Sequence, residues 1–242
     1  MIPKVFFIAF VLCLSSAVSV AGDTSFDVTA YGNFKKMKHT GDASGKAALL
    51  SIPRSGGVYG VGALADLRGE ILIWNGNILV TSGESETGST RSAIPEDQAT
   101  LLAIARVKEW FEVQIPHDMT QRKFERFVIE SANATHININ RPFPFIVGGD
   151  IIDYAWHVIT GKGKGHGGGA KHKQGHANSR TFSGHKAEGK LVGFYSAGKL
   201  EGVISHPGER FHVHYADNQF KTSGHLDSYG IGKGAVLRLP KT

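Results

Sequence analysis

Apolar residues along this chain fall in short runs separated by glycine and polar residues. Leu67 to Val80 (LRGEILIWNGNILV) holds two such runs on either side of Asn75-Gly76. Both residues of that pair readily take the left-handed backbone of a tight turn, so the segment predicts a hairpin. The period changes between Asp118 and Ala132. There Phe124, Phe127, Val128 and Ser131 share one helical face, and Asp118 with Gln121 has the spacing of a capping box. A helix is expected over those residues. Leu101 to Val113 fits helix or strand equally well, and Pro142 to Thr160 reads as two extended strands turning at Gly148-Gly149. Leu191 to Tyr195, Arg210 to Tyr215 and Val236 to Leu239 read as further strands. With 31 glycines in the chain, the pattern predicts an α+β fold, mostly mixed β-sheet in a partly closed barrel, with one or two helices.

The first segment has a different character. Lys4 precedes an unbroken apolar run from Val5 to Leu14, and the small residues Ser19, Val20 and Ala21 stand before Gly22-Asp23. This is the pattern of a secretory signal peptide, residues 1–21, cleaved after Ala21. The run is too short to cross a bilayer, so no membrane insertion is expected after cleavage. An exported protein, periplasmic or extracellular, follows. Cleavage also removes Cys13, the one cysteine. Any metal site in the remaining single domain, residues 22–242, must then be built from His, Asp or Glu.

The net charge is +6, and much of the excess lies in one stretch, Gly161 to Lys190. That stretch is rich in Gly, Lys and His and has Glu188 as its only acid. It shows no apolar face to bury, so it predicts a flexible surface loop. Its histidines, His166, His172, His176 and His185, are read as those of a solvated linker. Basic charge confined to one loop of an exported protein argues against a nucleic-acid partner.

The chemistry is concentrated near the C-terminus. Arg210-Phe211-His212-Val213-His214-Tyr215 alternates strictly, and as a strand it places His212 and His214 on one face with Phe211, Val213 and Tyr215 on the other. Ala216 to Gly224 is a polar connection that can return His225 beside them. Three neutral imidazoles with open positions make the arrangement of a catalytic zinc site. With 12 histidines in 242 residues, an H-x-H pair alone is close to chance. The alternating strand and the third histidine give it weight.

Gly189 to Leu226, with KLVGFYSAG, the Pro207-Gly208 turn, FHVHY and TSGHL, resembles the metal-binding half of bacterial α-acetolactate decarboxylases. YGVGALADLRGEILIWNG resembles an N-terminal segment of the same family. The resemblance implies an acetolactate-decarboxylase-like fold that binds zinc, or another divalent metal, through His212, His214 and His225. It places the active-site glutamate at Glu70 and implies a small-molecule keto-acid substrate, with a homodimer as a candidate assembly. The implied reaction converts acetolactate, or a related 2-hydroxy-3-keto acid, to acetoin or its analogue. Three positions depart from the family pattern. His157 stands where the family has an arginine that holds the substrate carboxylate, Ala63 replaces a threonine, and Gly234 falls where the family has a distal acid. His157 is therefore the candidate for the carboxylate-holding role. The alternative left open is a metal-binding protein on the same scaffold that is not a decarboxylase, such as a small-molecule binder.

Overall fold

The computed structural model describes residues 18–19, 26–161 and 178–241. The expected signal peptide therefore lies outside the described residues except at 18–19, as do residues 162–177 of the expected loop. The chain forms two antiparallel sheets. The first contains Val28–Tyr31 (β1), Val58–Leu64 (β2), Gly69–Trp74 (β3), Asn77–Ser82 (β4), Thr90–Ser92 (β5) and Gln98–Arg106 (β6), ordered β1-β6-β2-β3-β4-β5. The two-residue strand Val18–Ser19 pairs with β1 at the edge, and Ala47–Ala48 pairs with β6. The second sheet contains Trp110–Gln114 (β7), Phe143–Ile159 (β8), Ser179–Tyr195 (β9), Phe211–Asp217 (β10), Ser223–Ile231 (β11) and Val236–Pro240 (β12). Its order is β11-β10-β9-β8-β12-β7, with Met119–Thr120 on the outer side of β11. β11 also pairs with β8, so the sheet curls back on itself without forming a closed barrel. Two helices, Phe34–Thr40 (α1) and Gln121–Ala134 (α2), complete the α+β fold.

Alternation along β3 explains how the sheets share the core. Leu72 points into the large cluster between the sheets, with Val61, Ala103 and Phe145. Ile71 and Ile73 point the other way, into a second cluster with Leu49, Ile52 and Leu102. Glu70 has the parity of Leu72, so the pleat turns it toward the second sheet. The hairpin at Asn75-Gly76 is as expected, with φ of 50° and 84° at the two residues, and Asn75 Oδ1 accepts the Gly57 N–H at 2.7 Å.

Several expectations are corrected. All strand pairings among the described residues are antiparallel rather than mixed. The ambiguous stretch from Leu101 is strand, divided between β6 and β7. The helix begins at Gln121 with Thr120 as its N-cap and no side-chain cap. Asp118 instead accepts the backbone N–H of Lys233 at 2.7 Å. Gly148 and Gly149 do not form a turn, because β8 runs unbroken from Phe143 to Ile159. Gly149 has φ of 137°, and a Cβ there would stand 2.7 Å from the Ala235 Cα. The glycine thus admits a close crossing. Residues Ser179 to Lys190, expected in the flexible loop, are strand paired with β8. Their polar character follows from their position on an exposed edge extension, alongside the part of β8 whose other side pairs with β11. That extension is held by the backbone ladder and by Phe182 stacked on Trp156, with centroids 4.2 Å apart.

Gly224 lies where β11 runs close against β8. A Cβ there would meet the His157 carbonyl oxygen at 2.4 Å and the Trp156 ring at 2.6 Å. Gly224→Ala should therefore force the two strands apart at the residue before His225. Urea unfolding should show a loss of about 1–3 kcal/mol, the usual cost of overpacking. An unchanged midpoint would mean that the strands separate freely here.

Candidate metal centre

His212 and His214 leave one face of β10, while Val213 and Tyr215 are buried on the other. Antiparallel pairing sets His214 opposite His225 on β11, and His225 opposite His157 on β8. Residues directly opposite in a ladder share a face. Three neighbouring strands therefore bring four imidazoles to one place. The ring centroids of His212, His214 and His225 lie 5.0–5.3 Å apart. One potential ligand atom from each of these three falls within 4.8 Å of the other two.

The donor set suits a divalent ion. His212 Nε2 and His214 Nε2 are 3.1 Å apart. Zn–N bonds of 2.0–2.1 Å in tetrahedral geometry separate ligand nitrogens by about 3.3 Å. Burial lowers the pKa of His212 to about 4 and holds His214 and His225 well below the ordinary histidine value, and the neighbouring imidazoles add to the effect. Neutral imidazole is the form that ligates metal. The Nδ1 atoms of His212 and His214 are buried without a hydrogen-bond partner in good geometry. Backbone groups of Ile204 and Ile71 act on the His212 and His214 rings respectively and oppose the lowering of their pKa values.

Glu70 reaches this cluster from the other sheet. It is 4% exposed, with Oε2 3.7 Å from His214 Nε2 and Oε1 4.0 Å from His157 Nε2. The backbone N–H of Ile159 donates to Oε1 at 3.3 Å. Burial pushes the Glu70 pKa up to about 8, against the opposing influence of His157 and the Ile159 N–H. A cation bound by the histidines would favour the carboxylate form.

His157 is buried, 6% exposed, and its Nδ1 lies 2.7 Å from Asp227 Oδ1. Burial opposes its cationic form, but the hydrogen bond to Asp227 and the nearby Glu70 outweigh that, raising its pKa. Asp227 was not singled out in the sequence. Its local pattern carries no such signal, because the contact depends on an interruption in the pairing of β11 with β8. Ala63 stands opposite Glu70 in the β2–β3 ladder, while Gly234 sits in an exposed turn outside the cluster. His206 packs its ring on Phe34, with centroids 4.2 Å apart. His185 lies on exposed β9 beside Asp153, and His166, His172 and His176 lie outside the described residues. Two large clefts occur elsewhere, one beside Trp74 and Phe220 and one beside α2.

Fold and site together define an α+β protein of two antiparallel sheets with a three-histidine cluster suited to a metal ion. Residues 39–239 match the family described as Alpha-acetolactate decarboxylase, and the chain belongs to that family. Its fold is similar to the alpha-acetolactate decarboxylase of Bacillus subtilis strain 168. The TM-score is 0.71 at 17% identity, covering 88% of this chain and 85% of that one. The acetolactate decarboxylase of Bacillus subtilis subspecies spizizenii gives 0.70 at 16% identity, with the same coverage. A Staphylococcus aureus protein, described as of unknown function and similar to alpha-acetolactate decarboxylase, gives 0.65 at 14% identity, covering 87% and 84%. No curated protein matches the chain.

The cluster carries two expectations. Elemental analysis of purified protein should find about one divalent ion per chain, lost in His212→Ala and His214→Ala and retained after deletion of residues 162–177. Metal that survives both histidine changes would place the ligands elsewhere. The second concerns pH in the metal-free protein. The cluster histidines have folded pKa values below that of the unfolded chain, so unfolding takes up protons as pH falls below about 6.5. Stability measured by urea should decline from pH 6.5 toward 4. A flat profile would show that the imidazoles are not held neutral.

Proposed function

We propose that this protein is a metal-dependent carbon–carbon lyase that decarboxylates acetolactate or a related 2-hydroxy-3-keto acid, releasing acetoin or its analogue. Zinc is the ion that best suits three imidazoles without thiolate or additional carboxylate ligands. The observation that carries the reading is Glu70. It is a buried carboxylate delivered from the opposite sheet to within 3.7 Å of a ligand nitrogen. A protein that merely stored metal would have no use for it there.

When bound, the ion supplies a Lewis acid able to stabilise negative charge developing on a substrate ketone as carbon dioxide departs. The protein's own groups do the rest. Glu70, steadied by the Ile159 N–H, orients the substrate hydroxyl and moves a proton at Oε2. His157 is a basic side chain placed beside Glu70 and the cluster to meet the substrate carboxylate. It lacks the planar fork of an arginine. Losing a charge-assisted contact of that kind costs about 1.5–3 kcal/mol, so turnover of acetolactate should be weak. The second reading, a metal-binding protein that is not a decarboxylase, draws support from the same absence of a fork at position 157.

The test is acetoin formation from racemic acetolactate by the zinc-loaded protein. A slow wild-type rate is expected, at least ten-fold below that of an enzyme with the arginine, and abolished in Glu70→Gln. No turnover with zinc bound would favour the second reading, and turnover that persists in Glu70→Gln would remove that residue from the chemistry. We also propose that residues 1–21 direct export and are cleaved. Mass spectrometry of protein recovered from the periplasm or medium of a bacterial host should then show a chain beginning at Gly22, whereas an intact N-terminus retained in the cytosol would refute export.

A further inference from the structure

The pairing of β8 with β11 is interrupted next to the histidines. His225 stands opposite His157, Leu226 opposite Trp156, and Ser228 opposite Ala155. Asp227 is therefore the additional residue of a β-bulge. Such a bulge changes the aim of a side chain and is often found beside a functional site. Here it delivers the only acid of β11 to His157 Nδ1, at 2.7 Å. The other ring nitrogen, Nε2, has Glu70 Oε1 at 4.0 Å. Both nitrogens of His157 thus face an acid of the chain itself. An imidazole has two ring nitrogens to offer, whereas a guanidinium has five N–H donors. Two carboxylates flank one base beside the cluster.

We infer that Asp227 is a specificity-determining residue whose carboxylate occupies and offsets His157, so that the site selects against small 2-hydroxy acids held mainly through their carboxylate. This rests on the proposed reading that such a substrate enters between the histidine cluster and His157. A like charge beside an approaching anion lowers affinity, and removing it should raise affinity by roughly ten-fold. Asparagine at position 227 retains an oxygen to accept from Nδ1 and removes the charge, which separates the electrostatic role from simple orientation of the ring.

The experiment is calorimetric binding of 2-hydroxy-2-methylpropanoate to the full-length zinc-loaded protein, with metal content measured for each variant. This acid has no ketone and is not decarboxylated, so the result does not depend on turnover. A failure of catalysis is therefore distinguishable from a failure of this inference. Asp227→Asn should bind the acid roughly ten-fold more tightly than wild type. His157→Arg alone should gain less than about three-fold, because Asp227 remains to pair with the guanidinium. The double variant should exceed the product of the two single effects. Unchanged or weaker binding in Asp227→Asn would overturn the inference and leave Asp227 as a positioning residue for the His157 ring. Should Asp227→Asn fail to fold or to retain zinc, His157→Arg still decides. A gain of ten-fold or more with Asp227 present would show that its charge does not oppose the ligand.

Discussion

The register of three strands is the constraint on which the site depends. His225 on β11 stands opposite His214 on one side and His157 on the other. Side chains alternate along a strand, so a slip of one residue in either pairing would turn an imidazole to the far face. Apolar residues resist that slip. Val213, Tyr215 and Leu226 are buried on the faces opposite the histidines, and a slip would drive the polar set into the core in their place. Gly224 contributes in another way, since a larger residue would collide with the β8 backbone. The hydrophobic pattern and one missing side chain thus hold the metal geometry.

The second requirement is the meeting of the two sheets. Glu70 belongs to the first sheet and the histidines to the second, so only the packing between them makes a site. That packing is fastened close to the centre by the buried contact between Thr81 and Ser223 hydroxyls at 2.9 Å. It is fastened also by the Ser89 and Thr222 bridge and the Thr90 N–H to the Lys221 carbonyl. The environment created there acts in opposite directions on the two kinds of group. Water is excluded, so the imidazoles stay neutral and available to a metal, while the Glu70 carboxylate is destabilised. A bound dication would satisfy both, because it uses the lone pairs of one and the charge of the other.

Two of the three positions at which the resemblance marks a departure, Ala63 and His157, lie beside Glu70. Ala63 lies opposite Glu70 in the ladder and offers no hydroxyl. His157, where the resemblance implies an arginine, is tied to Asp227 by the bulge. Gly234 is in an exposed turn. The three histidines that could hold a metal and the carboxylate of Glu70 come together, while Gly234 stands apart from them. The same scaffold can hold different chemistry when such neighbours change.

The three-histidine cluster was legible in the sequence because alternation is a local property. His212-Val213-His214 between apolar partners already specifies a strand face, and the Asn75-Gly76 hairpin and the face of α2 are equally local. Glu70 was visible only through resemblance, since its own neighbourhood reads as an ordinary strand start. Long-range facts were not legible. Gly148-Gly149 looked like a turn because the close approach of Ala235, which needs a glycine, is distant in the chain. Ser179 to Lys190 looked like loop because its strand is sustained by backbone hydrogen bonds to β8 rather than by an apolar stripe. Asp227 was missed for the same reason. Its meaning lies in a bulge against β8 and in one hydrogen bond to a residue 70 positions away. By itself the sequence determined which residues could ligate a metal and on which face they lie. Only the tertiary structure decided which acid stands beside which base, because packing and burial arise between segments that sequence order leaves apart.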